Sequence, residues 1–243
     1  MIMKGGLKKL FEPESIAMVG VSSEPTKMSH WLIRNIAETG FQGAVYPISR
    51  RGGENLGYKV YTGLSEVPEP VDLVLVSVAS KFVKGVIEEA AENRAGAVVI
   101  LSSGFGEIRD KAGKILQEEI LQIARANNMR IMGPNCLGVY NAHKRLNGTF
   151  FARAPKYTGR ISLVSQSGAY GGVLANEMNQ RGIGLGKLAS IGNQMDVRHQ
   201  EVIEYLADDQ DTDVSAFLWR GSRTVPVFFQ LSKRSQGSSP SLS

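Results

Sequence analysis

Cysteine is almost absent from this sequence, because Cys136 is the only one among 243 residues. A single cysteine excludes an intramolecular disulfide framework and suits a reducing compartment. No apolar run approaches the roughly 20 residues needed to cross a bilayer. The first ten residues also lack the apolar segment of a secretory signal. We therefore expect a cytoplasmic protein with no membrane association.

A basic face of the kind that binds nucleic acid is also lacking. The formal net charge is +5, but four basic residues and no acidic one lie from Trp219 onward. The rest of the chain carries 24 basic and 23 acidic residues. A nucleic-acid protein normally shows a basic stripe on a folded surface. We therefore expect no nucleic-acid partner.

Short apolar runs alternate with longer helical patterns along most of the chain. Val- and Ile-rich runs that are each followed by a helix predict a parallel sheet covered on both faces. The loop-rich stretch 141–159 suggests a boundary, which gives domains 1–145 and 146–218. The strands predicted in the first domain are 16–20, 44–48, 71–78, 97–101 and 130–132, with helices at 28–39, 80–93 and 110–128. Those predicted in the second are 161–164, 185–191 and 214–218, with helices at 169–180 and 199–207.

The first predicted strand ends at Gly20 and runs through a loop into a helix. Ligands of doubly wound sheets bind at such strand ends, and a helix N-terminus offers free amides to a phosphate. Ser22 and Ser23 add hydroxyl groups, and Lys27 adds a positive charge. The sequence lacks the full Gly-x-Gly-x-x-Gly fingerprint, so a plain strand-to-helix turn remains the alternative.

The second predicted strand lacks the acidic residue that usually holds the ribose of NAD at its end. Arg50 and Arg51 stand there instead. Two arginines suit a phosphorylated ribose, as in NADP or in the 3′-phosphate of coenzyme A. A solvated arginine pair is the alternative. Small residues close the three other strands of this sheet and would let a long ligand approach the backbone.

A second phosphate cradle is predicted between the strand that ends at Val164 and the next helix. Ser165, Ser167 and Gly168 lie at this junction and leave the first helical amides accessible. A hydrolase nucleophile elbow would need glycine at position 165, which argues against that reaction. A capped helix without a ligand is the remaining alternative.

Five segments in this order resemble one protein family: LFEPESIAMVGVS, VYPISRRGGENLGYKVY, SSGFGE, GPNCLGV and SQSGA. They resemble the alpha-type subunit of ADP-forming acetate–CoA ligase, an NDP-forming acyl-CoA synthetase of the succinyl-CoA synthetase superfamily. The resemblance covers roughly Leu10 to Leu218. It implies a Rossmann-like CoA-binding domain followed by an incomplete flavodoxin-like α/β domain.

The resemblance also implies where coenzyme A and phosphate lie. The loop 192–196 is expected near the active site. The implied contacts with the nucleotide and pyrophosphate are Gly20, Ser22, Ser23 and Lys27, those with adenosine are Pro47 and Arg50, those with pantetheine are Val78, Ala79, Ser103 and Asn135, and those with phosphate are Ser165, Ser167 and Gly168.

The family reaction converts acyl-CoA, ADP and phosphate into acid, CoA and ATP. ADP or ATP and Mg²⁺ would bind a beta-type nucleotide-grasp partner, so this chain is expected to hold no metal. His30, His143 and His199 do not match the family's phosphohistidine position, and each is interpreted as a surface or packing residue. The resemblance therefore implies a CoA-binding subunit or fragment that is inactive alone. A non-catalytic CoA- or nucleotide-binding regulator and an NADP-dependent oxidoreductase remain alternatives.

The segment 219–243 departs from the family pattern. Its last nine residues are mostly serine, with glycine and proline, which predicts disorder. A one-base frame shift near Trp219 would restore the acid and the glycine that the family has there. We therefore expect an aberrant, disordered tail, a truncated family member, and an uncovered sheet edge at Val214–Leu218.

Overall fold

The first of two sheets is entirely parallel. The computed structural model describes residues 4–108, 111–218 and 227–232. The order of the first sheet is β2-β1-β5-β6-β7. Its strands are β1 (Ser15–Val19), β2 (Ala44–Ile48), β5 (Leu73–Val76), β6 (Ala97–Ile100) and β7 (Arg130–Met132). A short antiparallel hairpin, β3 (Gly53–Asn55) and β4 (Tyr58–Val60), follows β2.

Both faces of this sheet are covered, as the apolar runs predict. Ile16 and Met18 of β1 share one core with α1 (Lys4–Phe11) and α2 (Met28–Thr39). Ala17 and Val19 share the opposite core with α3 (Ser80–Glu92) and α4 (Lys111–Ala126). Successive side chains of a strand point to opposite faces, so a strand buried on both sides must be continuously apolar. This arrangement confirms the α/β fold predicted for the first domain.

The second sheet is mixed, with the order β13-β12-β10-β11-β8-β9. Its centre is parallel, and α5 (Gly168–Gln180) and α6 (His199–Asp208) complete this half of the chain. The antiparallel strands flank the centre on both sides. The strands are β8 (Gly138–Asn141), β9 (Leu146–Thr149), β10 (Thr158–Ser165), β11 (Leu185–Ser190), β12 (Val214–Leu218) and β13 (Val227–Leu231).

The stretch predicted to be a loop at 141–159 contains β9 and the end of β8. These strands form a hairpin that pairs with β11, so the predicted boundary after residue 145 falls inside a hairpin of the second sheet. The hairpin also contacts the first domain, because the buried Asn35 Nδ2 of α2 donates to the carbonyls of Thr149 and Phe151, both at 2.9 Å. Short strands of mixed polarity gave little periodic signal here.

Two details at element ends differ from the sequence prediction. Ser80 does not cap α3, because Ala79 occupies the N-cap position and Ser80 is the first helical residue. The prediction of disorder over 219–243 is wrong at Val227–Leu231, where β13 pairs with β12. The unpaired backbone of β12 offers a template for such a strand. Val214–Leu218 is therefore not an uncovered edge, and the tail residues other than 227–232 lie outside the described residues.

Candidate functional site

The carboxyl ends of the first sheet open into a cavity of about 1310 Å³. The opposite wall is formed by the first turns of α5 and by the segment 150–155. Parallel strands place their ends along one edge, so residues far apart in sequence meet there. The strand-end segments that line this cavity are 77–79, 101–103 and 135–137.

Four residues expected in the first loop line a smaller adjoining cavity of about 360 Å³: Gly20, Ser22, Ser23 and Lys27. Lys27 and Ser29 line both cavities, so the two adjoin each other. Gly20 has φ +96°, and a Cβ atom there would lie 2.7 Å from Val78 Cγ1. The loop therefore needs glycine at this position for its conformation and for its close approach to the next strand end.

Residues that the sequence did not reveal hold the first loop in place. The carbonyl of Ser22 accepts hydrogen bonds from His30 Nδ1 at 3.0 Å and from Asn55 Nδ2 at 3.1 Å. Asn55 belongs to the β3-β4 hairpin, which lines the same cavity with Ser49. The spacing of a hairpin after β2 gives no sign that it folds back onto the first loop.

Lys27 is paired within the same loop. Its Nζ lies 2.7 Å from Glu24 Oε1, and both side chains are more than half exposed. The hydrogen bond and charge of Lys27 lower the pKa of the Glu24 carboxyl. An anion in this cavity would compete with Glu24 for the ammonium group, and an exposed pair of this kind is weak enough to exchange.

The two arginines after β2 have different surroundings. Arg51 lines the smaller cavity, whereas Arg50 lies over the Phe82 ring, 5.6 Å from its centroid. Pro47 is buried inside β2, and its carbonyl accepts from the Tyr61 amide at 2.9 Å. The structure thus brings Arg51 to the cavity, and it does not bring Pro47 or Arg50 there. Neighbouring residues at a strand end point in different directions, which the sequence alone could not resolve.

All four residues expected along the pantetheine line the larger cavity: Val78, Ala79, Ser103 and Asn135. The amide of Asn135 donates to the Ser102 carbonyl at 2.8 Å, which fixes the neighbouring strand ends against each other. Cys136 also lines this wall, but burial raises the pKa of its thiol to about 12. A thiol that stays protonated is a poor nucleophile.

The second loop contributes two of its three expected residues to the cavity wall. Ser167 and Gly168 line it, whereas Ser165 is fully buried and donates its hydroxyl to the Ser167 carbonyl at 2.7 Å. Ser165 therefore supports the loop rather than facing the cavity. Ser167 is the N-cap of α5 and its Oγ accepts from the Tyr170 amide at 3.4 Å. Within the described ranges, no acceptor is recorded for the amides of Gly168 and Ala169, which leaves them available to an anion.

The loop 192–196 is fastened to the first domain. The amides of Asn193 and Met195 donate to the carbonyls of Pro134 and Gly133, at 2.9 and 3.0 Å. Asn193 Nδ2 also donates to Glu107 Oε2 at 2.6 Å. Burial would raise the pKa of Glu107, but this bond and backbone amides lower it below its ordinary value. The loop thus holds the two walls of the larger cavity together.

None of the three histidines lines the larger cavity in the part of the chain that the structure describes. His30 supports the first loop, and His143 Nε2 donates to the Gly159 carbonyl at 3.0 Å. His199 begins α6, and its ring and amide both contact Gln194 Oε1. Burial, with a contribution from Arg198, lowers the pKa of the His199 imidazole.

No cluster of three or more His, Cys, Asp or Glu side chains among the described residues is arranged to hold a metal ion. No helix in the same described ranges has the length and apolar character needed to cross a membrane.

Comparison with known proteins gives two family matches that follow the two sheets. Residues 14–142 match the CoA binding domain, and residues 158–240 match the succinyl-CoA ligase like flavodoxin domain. The second match runs through the segment in which the sequence analysis expects the family pattern to be lost.

Individual relatives agree with these matches. The alpha subunit of acetate–CoA ligase [ADP-forming] II from Pyrococcus furiosus is 37% identical over 94% of this chain and 49% of its own length. The alpha subunit of acetate–CoA ligase I of the same organism is 35% identical, over 93% of this chain and 50% of its own length. The chain thus spans about half the length of these curated relatives.

A solved structure extends the agreement to the fold. The dinucleotide forming acetyl-coenzyme A synthetase 1 of Ca. Korarchaeum cryptofilum, in complex with phosphate and ADP, superimposes with a TM-score of 0.84. It is 35% identical and covers 88% of this chain and 46% of its own chain. The chain therefore belongs to the CoA-binding family of NDP-forming acyl-CoA synthetases, where it is related to the alpha subunits of ADP-forming acetate–CoA ligases.

Proposed function

We propose that this chain is the CoA-binding part of an ADP-forming acid–CoA ligase. The overall reaction would convert acyl-CoA, ADP and phosphate into acid, CoA and ATP. One observation carries the proposal: two adjoining cavities, which share Lys27 and Ser29, extend from the Gly20 loop to the N-terminus of α5. A long phosphorylated ligand needs such a path, with positive charge at one end and small residues along its length.

The residues along this path fit the parts of coenzyme A in sequence. Ser22, Ser23 and Lys27 would hold the pyrophosphate, since they combine hydroxyl donors, a positive charge and the start of α2. Arg51 would contact the 3′-phosphate, with Arg50 beside it as a second positive charge. Gly20 would let the pyrophosphate approach the backbone. The small side chains of Val78, Ala79 and Ser103 would flank the pantetheine, and Asn135 would lie near its reactive end.

The loop before α5 would hold the phosphate that attacks the thioester. Ser167 supplies a hydroxyl, and the amides of Gly168 and Ala169 face an anion with the positive end of a 13-residue helix behind them. Such fixed donors stabilise negative charge that develops on oxygen during acyl transfer. Ser165 would act indirectly by fixing the carbonyl of Ser167.

Phosphoryl transfer onward to ADP would need a histidine, and the chain's three histidines lie away from this cavity. We therefore expect the 243-residue polypeptide to show no turnover alone. A beta-type nucleotide-grasp partner would supply the sites for ADP, ATP and Mg²⁺. The same position of the histidines favours a second candidate, a regulatory module that binds CoA without catalysis.

Calorimetry tests the binding step. The full chain should bind CoA more tightly than dephospho-CoA, and NADP should bind weakly or not at all. Tighter binding of NADP than of CoA would refute the proposal.

A second measurement tests the expectation that the chain cannot carry a phosphoryl group to ADP. The chain is mixed with a beta-type partner and assayed for ATP formation from acetyl-CoA, ADP and phosphate, and no ATP should form. Incubation with acetyl phosphate, followed by mass spectrometry in mild alkali, reports any phosphohistidine. Phosphorylation that is lost in His199→Ala would contradict the expectation that His199 packs and does not react.

A further inference from the structure

A separate cavity of about 570 Å³ lies on the other side of the segment 150–155, which forms part of the wall of the larger cavity. It is bounded by α2, by the residues that follow Tyr140, and by the segment 152–158. Ala152, Arg153 and Pro155 line this cavity and the larger one, so a single stretch of chain separates the two. The residues that face the new cavity take no part in the CoA path beyond this shared wall.

The charge of this cavity is strongly unbalanced. Four basic side chains line it, and Glu38 is the only acidic residue among its lining. Glu38 is nearest to Arg34, with Oε1 3.7 Å from Nε. For Arg145, Arg153 and Lys156, no carboxylate of the described residues lies within ion-pair distance. Like charges that converge on one space repel, so the cavity favours an anion.

Two lining residues also carry a polar side-chain atom for which no hydrogen bond is found among the described residues, and one of these two atoms is buried. Tyr140 is 4% exposed, and no acceptor or donor for its hydroxyl is recorded among the described residues. Burial raises the pKa of this hydroxyl to about 12, so it remains a donor at neutral pH. Arg34 Nε is buried and donates no hydrogen bond within the described residues. Most buried polar groups are paired, and an unpaired one calls for an explanation.

The rest of Arg34 is held rigidly, which fixes the position of its Nε, whose nearest carboxylate oxygen is Glu38 Oε1 at 3.7 Å. Its Nη2 donates to the carbonyls of Phe151 and Ala152, at 3.1 and 3.0 Å. Its guanidinium also lies over the Trp31 ring, 5.7 Å from the centroid. A guanidinium that is already fixed loses little entropy when it binds an anion.

We propose that this cavity is a binding site for a small anion that carries a phosphoryl group. Tyr140 and Arg34 would donate from the buried end, and Arg145, Arg153 and Lys156 would surround the group from the exposed side. A phosphoryl group offers three strong acceptor oxygens and a charge near −2, which matches several donors and an excess of three positive charges. The volume exceeds that of one phosphate ion and leaves room for a second group.

Calorimetric titration of the full chain with sodium pyrophosphate tests the proposal. The double variant Arg145→Gln/Lys156→Gln should bind about tenfold more weakly, since two of the charges around the anion are removed. Tyr140→Phe should bind about fivefold more weakly, as expected for one lost hydrogen bond. The substituted charges are exposed, so these variants should keep the unfolding midpoint of the parent chain.

Three controls locate the site and define its ligand. Arg181→Gln removes an exposed charge of α5 that pairs with Glu177, and it should leave binding unchanged. Lys27→Gln/Arg51→Gln removes charge from the nucleotide loop, which would itself bind pyrophosphate, so this variant should lose one pyrophosphate-binding event and leave the affinity of the remaining one unchanged. Titration with inorganic phosphate and with ADP distinguishes a free phosphate from a nucleotide as the source of the group. Loss of all pyrophosphate binding in the nucleotide-loop variant alone, equal affinity for malonate, or no binding of any phosphate by the parent chain would overturn the proposal.

Discussion

Arg130 forms buried ion pairs between the two halves of the chain, and replacing it by methionine should destabilise the fold. Arg130 lies at the start of β7 in the first sheet. Its Nε donates to Asp196 Oδ2 and its Nη2 donates to Glu201 Oε1, both at 2.8 Å. Asp196 and Glu201 belong to the loop and helix of the second half, and all three side chains are less than one-fifth exposed. Methionine keeps the aliphatic stem and removes the guanidinium.

The size of the loss in unfolding free energy depends on the hydrogen bonds that the two carboxylates retain in the variant. In the variant, Asp196 Oδ2 still accepts from the Ile131 amide at 2.9 Å, and Glu201 Oε2 still accepts from the Arg198 amide at 3.1 Å. Each carboxylate loses one charge-assisted bond and its counter-charge, but neither is stripped of all partners. Breaking a buried ion pair costs about 3–5 kcal/mol, and the remaining bonds place this case near the lower end. We expect the unfolding free energy to fall by about 3 kcal/mol.

Urea unfolding followed by far-UV circular dichroism measures this change. Arg160→Met is the matched control, because Arg160 also makes two bonds with one partner, Asp213, at 2.8 Å. Its side chain is 39% exposed and that of Asp213 is 43% exposed, so the loss should stay below about 1 kcal/mol. Equal losses in the two variants would refute the argument that burial makes the Arg130 contacts strong.

Three other changes test the candidate site. Arg51→Gln should reduce the preference for CoA over dephospho-CoA by about tenfold in calorimetry, since one charge-assisted bond is lost; equal weakening of both ligands would contradict this. Gly20→Ala should lower the unfolding free energy by about 2–4 kcal/mol, because φ is +96° and Val78 blocks a Cβ atom; an unchanged urea midpoint would argue against this loop conformation. The folded-state pKa of Glu107 is lowered, so its contribution to stability should be complete above its ordinary pKa of 4.5 and decline as the pH falls below it. Urea midpoints of the parent and Glu107→Gln should therefore converge below pH 4.5, and a constant gap down to pH 3 would contradict the assignment.

Elements with a clear hydrophobic pattern were predictable from the sequence, and elements without one were not. β1, β5 and β6 are short apolar runs buried on both faces, which leaves few alternatives to a parallel sheet. The β8-β9 hairpin carries buried polar residues, including Asn141 and Asn147, because its chain crosses from one half of the protein to the other. Every residue of these two strands is buried, and polar and apolar residues are mixed along them, so hydrophobic periodicity could not detect the hairpin.

The candidate site likewise contains residues that the sequence could predict and residues that it could not. Most of the residues expected in the site line the two adjoining cavities, because the order of the elements implies which strand ends lie at the carboxyl edge of the parallel sheet. The local backbone conformation decides which of Arg50 and Arg51 faces the cavity, and the Arg50 side chain instead lies over the Phe82 ring. Ser165 looked equivalent to Ser167 in the sequence, yet its position inside β10 buries it. Asn55 was missed because its role depends on how a distant hairpin folds back.

Helix α2 links the nucleotide loop to the wall between the two cavities, although these two features are far apart in the sequence. It begins at the nucleotide loop, where Lys27 is its N-cap residue, and two turns later Asn35 and Arg34 bind the carbonyls of Phe151 and Ala152. Those carbonyls belong to the segment that lies between the 1310 Å³ cavity and the 570 Å³ cavity. A helix is stiff along its axis, so a displacement at its first turn must be shared by this segment or absorbed by breaking buried hydrogen bonds. Because Asn35 is fully buried, breaking its hydrogen bonds is costly. Binding of a ligand at the nucleotide loop should therefore shift the wall that both cavities share.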